Sequence, residues 1–327
     1  MVTLTDIQNA HARITPYIRR TPLLRVSALD AICGCQVYIK PESLQTTGSF
    51  KLRGATNKLL SLSAEERARG IIAASSGNHG QGVAYAAQQL GIDAIIVMPH
   101  DAPPTKMAGV KSYGAQIEIF SGTLGSERDA LMAKLAAEQG RVPIHPFSNP
   151  LIVAGQGTAA LEALADEPEL DFLISPIGGG GLISGLATAA KGLKPSLHMV
   201  GIEPTAAPRY LASRAKGEAT GINLGFTIAD GTRTDRASDH NFPIIEKLVD
   251  DLYNVSDDYI KQALYLYARY AKLVTEPSGA LTLAALLSGQ INCQPADKVC
   301  LVISGGNLDV DNYGVWLKEG QELYNNR

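Results

Sequence analysis

Four consecutive glycines, Gly178-Gly179-Gly180-Gly181, follow the apolar run Phe172–Pro176 and lead into the Ala-rich stretch Ile183–Leu193. A short buried strand turning directly into a helix through bare backbone belongs to open α/β sheets, and it constrains the chain more than any other feature. The same rhythm recurs along the sequence. Strands are predicted at Val37–Lys40, Gly70–Ala74, Ala94–Met98, Gln116–Ile119, Phe172–Pro176, His198–Ile202 and Val299–Ile303. Helices are predicted between them at Gly82–Leu90, Lys106–Ser112, Ser126–Gln139, Gly155–Ala165, Ile183–Leu193 and Asp257–Leu273. Pro103-Pro104 fits a helix start just before Lys106. Two blocks of alternating elements, about 70–120 and about 170–205 with 299–303, predict two doubly wound, mostly parallel open sheets. No Pro- or Ser-rich linker divides the blocks, so a wide interface with a cleft is expected.

Composition narrows the function. Of the 327 residues, 45% are apolar and 19% charged, which excludes a mainly disordered chain. Lys plus Arg is 29 and Asp plus Glu 32, a net charge of −3. A chain so balanced has no electrostatic case for nucleic acid or an anionic membrane surface. No apolar run approaches the roughly 18 residues that would span a bilayer. The opening segment has no continuous apolar core of a secretory signal. Cys33, Cys35, Cys293 and Cys300 lack zinc-site spacing, and reduced thiols in a cytoplasmic protein are expected.

Ligands in such sheets bind beyond the carboxyl ends of strands, so the residues there are the candidates. Gly178–Gly181 leave N–H groups bare where a helix dipole favours an anion, a phosphate cradle rather than a Walker loop, because no Gly-Lys-Ser/Thr follows. Ser75-Ser76-Gly77-Asn78-His79 follow the strand ending at Ala74 and offer hydroxyl, amide and N–H donors to a carboxylate. Taken alone, this turn reads equally as a helix start capped by Ser75 or Ser76. Ser304-Gly305-Gly306-Asn307 form a third polar strand end, which alone reads as a plain turn. Lys51, beside Phe50 and after Gly48-Ser49, is a lysine that burial would turn into a Schiff-base former.

An amine, a neutral phosphate cradle and polar strand ends are what pyridoxal 5'-phosphate requires. The sequence resembles the fold-type II pyridoxal-phosphate enzymes (the tryptophan synthase β-like fold), and within them the serine/threonine dehydratase and serine racemase family. The motifs Gly48-Ser49-Phe50-Lys51-Leu52-Arg53-Gly54-Ala55, Ser76-Gly77-Asn78-His79, Ala154-Gly155-Gln156-Gly157-Thr158 and Pro176-Ile177-Gly178-Gly179-Gly180-Gly181 stand in the family's order. The resemblance implies that Lys51 carries the cofactor and takes the substrate's α-proton, and that Phe50 packs on the ring. It implies that Asn78 bonds the phenolic oxygen, Gly178 to Gly181 with the Leu182 N–H seat the phosphate, and Ser304 bonds the pyridine nitrogen. Gly231 lines the cofactor, Glu276 lies near the ring, and Ser75, Ser76, Asn78 and His79 grip the substrate carboxylate. A neutral Ser304 leaves the ring a weaker electron sink than an Asp would, which favours loss of a β-hydroxyl over transamination. The implied reaction is β-elimination from a 3-hydroxy amino acid such as L-threonine, L-serine or a 3-substituted serine, giving a 2-oxo acid and ammonia. The alternative is a serine racemase with side dehydratase activity, because racemases of the family carry a serine where Ser76 stands. A nicotinamide-dependent oxidoreductase is a remote reading, without G-x-G-x-x-G after a strand and a suitably placed acid.

The resemblance further implies a large domain of residues 1–50 and 146–327, a small mobile domain of 51–145, and a homodimer or dimer-based oligomer. Metal-dependent relatives use a Glu, a carbonyl and an Asp where this chain has Glu203, Ala207 and Arg209. A guanidinium cannot ligate a cation, so no metal is expected and Arg209 is expected to pair with Glu203. The chain ends soon after Asn307, so the C-terminal effector domain of biosynthetic threonine deaminases is not expected. Arg233, Thr234 and Arg236 follow Gly231 and are candidates to face the substrate side chain, as is Phe147.

Overall fold

The computed structural model describes residues 1–75, 77–100, 102, 104–122 and 125–326, without the side chains of 104, 105, 125, 126 and 128. Its strands are β1 (Leu24–Arg25), β2 (Gln36–Pro41), β3 (Ile71–Ala74), β4 (Ala94–Pro99), β5 (Gln116–Phe120), β6 (Val142–Pro143), β7 (Phe172–Pro176), β8 (His198–Pro204), β9 (Asp251–Val255) and β10 (Lys298–Ile303). They form a six-stranded sheet in the order β1-β2-β10-β7-β8-β9 and a four-stranded sheet in the order β5-β4-β3-β6. All neighbours are parallel except β1, which runs antiparallel along β2 from Leu24↔Ile39.

The chemistry of the strands explains this arrangement. Parallel strands are covered by helices on both faces and read as unbroken apolar runs. Ile71–Ala74 is buried throughout, and so is most of Lys298–Ile303. Proline ends β2, β4, β6, β7 and β8, at Pro41, Pro99, Pro143, Pro176 and Pro204. A residue that cannot donate to the ladder releases the chain there.

The seven predicted strands are all present, within one or two residues at each end. β1, β6 and β9 were not predicted. Two of them are only two residues long, and β9 is an edge strand whose polar Asp251 and Asn254 are not fully covered. The predicted helix Asp257–Leu273 is shorter. It ends at Leu266, continues as one wide turn over Tyr267–Ala271, and stops at Lys272, which adopts φ +59°. The helix Lys51–Leu60 was not predicted either.

Strand order positions the site. β10, last in sequence, lies between β2 and β7, so the segments after these three strands emerge side by side. They are the loop to Lys51, the turn at Ser304 and the glycine turn. β3 of the smaller sheet brings Ser75 to the same place.

Candidate active site

Lys51 opens the helix Lys51–Leu60, and its position is fixed from both sides. Upstream, the Phe50 N–H donates to the Ser304 carbonyl at 3.0 Å, Ser49 bridges Gly305, and the Gly306 N–H donates to the Gly48 carbonyl at 2.9 Å. Gly48 is required for this clip: it has φ +72°, and a Cβ there would stand 2.4 Å from Asn307 Oδ1. Downstream, the buried Arg53 guanidinium joins the carboxylates of Glu42 and Glu162, each at 2.7 Å. The Lys51 amine donates to the Pro146 carbonyl at 3.0 Å and lies 5.1 Å from the centre of the Phe50 ring. Burial pulls this amine down to about 8, against the attraction of Glu276.

The glycine turn lies opposite. Gly180 has φ +85°, and a side chain at Gly179 would enter the Phe147 ring at 2.2 Å. Only backbone fits, so the N–H groups at the start of the helix Gly181–Leu193 are left without side chains over them. No lysine or arginine side chain donates to this turn from the cavity side among the described residues.

After β3 the helix begins at Asn78, with Gly77 as its cap residue, so Ser75 does not cap it. Ser75 Oγ accepts the Gly77 N–H at 3.1 Å. The Asn78 amide is committed on both sides, donating to Glu276 at 2.8 Å and accepting from Asn307 Nδ2 at 2.9 Å. His79 Nε2 pairs with the Ile144 carbonyl at 3.1 Å, which requires the proton on that nitrogen. A substrate carboxylate in this turn would therefore meet backbone N–H groups and Ser75 before these two side chains. Glu276 is 4% exposed. Burial, reinforced by Asp230, pushes its carboxyl up to about 7 despite the Asn78 bonds.

These groups surround one cavity of about 190 Å³. Phe50, Lys51, Ser75, Asn78, His79, Gly178, Gly179, Gly180, Gly181, Leu182, Gly231, Glu276 and Ser304 all line it. Ser76 lies outside the described residues. Arg233, Thr234 and Phe147 also line the cavity, whereas Arg236 does not and pairs with Asp239 at 2.9 Å. Lys106, Asp230 and Asn307 were not singled out from sequence. Lys106 binds Asp230 at 2.7 Å across the cavity mouth. Asn307 was visible as the last residue of its glycine motif. Arg209 and Glu203 are both fully buried and 3.7 Å apart, as expected from the substitution of a guanidinium at that position. Among the described residues no cluster of His, Cys, Asp or Glu is suited to a metal ion, and no helix is long and apolar enough to cross a membrane.

The donor set suits a phosphate-bearing aldehyde. The cavity holds one amine of lowered basicity, a turn from which a Cβ is excluded, and two hydroxyls, Ser278 Oγ and Thr234 Oγ1, that are buried with no hydrogen-bond partner among the described residues. Buried polar atoms left unpaired are costly and point to a polar occupant.

Comparison with known proteins agrees. Residues 14–305 match the family described as "Pyridoxal-phosphate dependent enzyme". The chain is 41% identical to the L-threonine ammonia-lyase of Thermotoga maritima, over 99% of this chain and 81% of that protein. It is 41% identical to a catabolic L-threonine dehydratase of Staphylococcus aureus, over 99% of this chain and 94% of that one. Among solved structures it resembles maize serine racemase, with a TM-score of 0.92, 38% identity and 99% of each chain covered.

Proposed function

The chain belongs to the pyridoxal-phosphate-dependent enzymes, and on that premise we propose that it eliminates water from a 3-hydroxy amino acid such as L-threonine, L-serine or a 3-substituted serine, releasing a 2-oxo acid and ammonia. The observation that carries this reading is the Lys51 amine, pulled down to about 8 and facing a side-chain-free glycine turn across one cavity.

Pyridoxal phosphate, bound through its aldehyde to an amine, withdraws electrons from the α-carbon. The rest is the work of this chain. Lys51 Nζ anchors the cofactor and then takes the α-proton, for which an amine near the working pH is suited. Gly178 to Gly181 and Leu182 hold the phosphate by N–H groups, which the helix dipole favours. Phe50 would pack on the ring, Ser304 would be a neutral partner for its nitrogen, and Asn78 would partner its oxygen on releasing an amide N–H from Glu276. Gly231 and Glu276 complete the wall. Ser75, Ser76 and the N–H groups at Asn78 and His79 orient the substrate carboxylate. Residues 51–145 act as a lobe whose closure, latched by Lys106 to Asp230, excludes water.

The test is direct. The purified protein should release ammonia and a 2-oxo acid from L-threonine or L-serine, and borohydride should fix the cofactor on Lys51. No keto acid from any 3-hydroxy amino acid, or a label on another residue, would refute the reading.

A further inference from the structure

The glycine turn is held from behind as well as shaped from the front. Arg209, at the start of the helix Arg209–Lys216, is 0% exposed and makes no contact with the cavity. Its guanidinium donates to the Ile177 carbonyl at 2.6 Å, to the Gly178 carbonyl at 2.9 and 3.1 Å, and to the Ala207 carbonyl at 2.8 Å. Glu203 stands 3.7 Å from it and is itself fixed by the N–H groups of Tyr210 and Leu211, at 3.0 Å each. The next carbonyl, of Gly179, is held by Tyr210 Oη at 3.0 Å and Asn241 Nδ2 at 2.8 Å. Three consecutive carbonyls are thus bound on the side away from the cavity. In a planar trans peptide the following N–H points opposite to the carbonyl. Fixing the carbonyls of Ile177, Gly178 and Gly179 therefore aims the N–H groups of Gly178, Gly179 and Gly180 as a set.

We propose that Arg209 is a positioning residue for phosphate binding, a buried cation, oriented by Glu203, that turns the Ile177 and Gly178 carbonyls outward and so presets the N–H groups of the glycine turn. The inference rests on the reading of that turn as the phosphate seat. Four glycines left to themselves sample many backbone conformations, and ordering them on binding would cost affinity. Donors fixed by a guanidinium are ordered beforehand. Arg209 also suits the task better than Lys would, because its planar fork serves several carbonyls at once.

The experiment compares two ligands that differ only in the phosphate. Dissociation constants for pyridoxal phosphate and for pyridoxal are measured on the cofactor-stripped full chain by absorbance. Removing Arg209 alone strands a buried carboxylate, so the pair is replaced together as Glu203→Gln with Arg209→Met. Arg209→Lys serves as the conservative variant. The pair replacement should weaken pyridoxal phosphate on the order of tenfold to a hundredfold, the worth of one or two charge-assisted hydrogen bonds, and leave pyridoxal unchanged. Arg209→Lys should recover only part of the loss. Equal weakening of both ligands, which general destabilisation would give, overturns the proposal, and so does no weakening of either. Gly179→Ala separates the two readings. If it loses phosphate discrimination while the Arg209 variants keep it, only the positioning role fails. If neither does, the phosphate seat itself is misassigned.

Discussion

The amide of Asn78 donates to both carboxyl oxygens of Glu276, at 2.8 and 3.1 Å, and so ties the helix after β3 to the loop before the helix Pro277–Leu287. This links the smaller sheet to the larger one at the cavity wall. It also holds an acid in a place where its charge is poorly solvated.

Glu276 should therefore make stability depend on pH. Its folded-state pKa of about 7 lies above the ordinary 4.5, so the folded chain holds this proton more tightly than the unfolded chain. The stabilisation is full below pH 4.5 and is lost as pH rises through 7. The loss amounts to about 3 kcal/mol if the whole shift is expressed. Glu276→Gln should remove this dependence. Thermal melts of the cofactor-stripped protein at pH 5 and pH 8 would check it: the wild type should fall relative to the variant between those values. Parallel curves would mean that Glu276 does not titrate there.

Lys51→Ala should abolish elimination, because it removes the covalent anchor and the base together. A loss of at least about a thousandfold is expected, while pyridoxal phosphate still binds reversibly through the glycine turn. In the wild type, attachment of the cofactor needs the neutral amine, so its rate should climb between pH 7 and pH 9. Stopped-flow absorbance would measure this. A rate still rising tenfold per pH unit at pH 9, as an amine near the ordinary 10.5 would give, would contradict the lowered basicity of Lys51.

Gly179→Ala should weaken cofactor binding by about tenfold or more, because its Cβ would stand 2.2 Å from the Phe147 ring and overpacking costs about 1–3 kcal/mol. Adding Phe147→Ala should restore much of the affinity by opening that space. Fluorescence titration with pyridoxal phosphate would measure both. A double variant no better than the single one would show that the turn, rather than its contact with Phe147, is what the substitution disturbs.

Much of this was legible in the sequence because the site is made of strand ends, and strand ends advertise themselves as glycine and small polar residues after an apolar run. The glycine turn, Ser304 and the Ser75–His79 segment were found that way. What was hidden depends on tertiary contact. Gly54 in the helix Lys51–Leu60 reads as a helix breaker, yet a Cβ there would meet the Ile152 carbonyl at 2.8 Å, and Gly155 presses on Gly54 in turn. The two glycines let two helices touch, a gain that no local pattern records. Arg209 stands out in sequence only as a guanidinium beside Glu203, and its three carbonyl partners appear only in the fold, while Lys106 is separated from Asp230 by 124 positions. The side chains of Asn78 and His79 look available in sequence, and the structure commits them to Glu276, Asn307 and Ile144.

Ser76 is the residue expected to separate elimination from racemisation. Inverting the α-carbon needs a proton donor on the face opposite Lys51, and the hydroxyl of Ser76 is expected to supply it. A β-hydroxyl expelled from the same carbon skeleton competes with that reprotonation, and release of ammonia is irreversible in practice, so elimination should dominate. Ser76→Ala should then remove racemisation of serine and elimination from the D-enantiomer while sparing most of the elimination from L-serine. Deuterium exchange at the α-carbon, with chiral analysis of the unreacted substrate, would decide. Racemisation that persists in Ser76→Ala would refute the role of this hydroxyl. Racemisation faster than ammonia release in the wild type would make the protein a racemase with a side elimination.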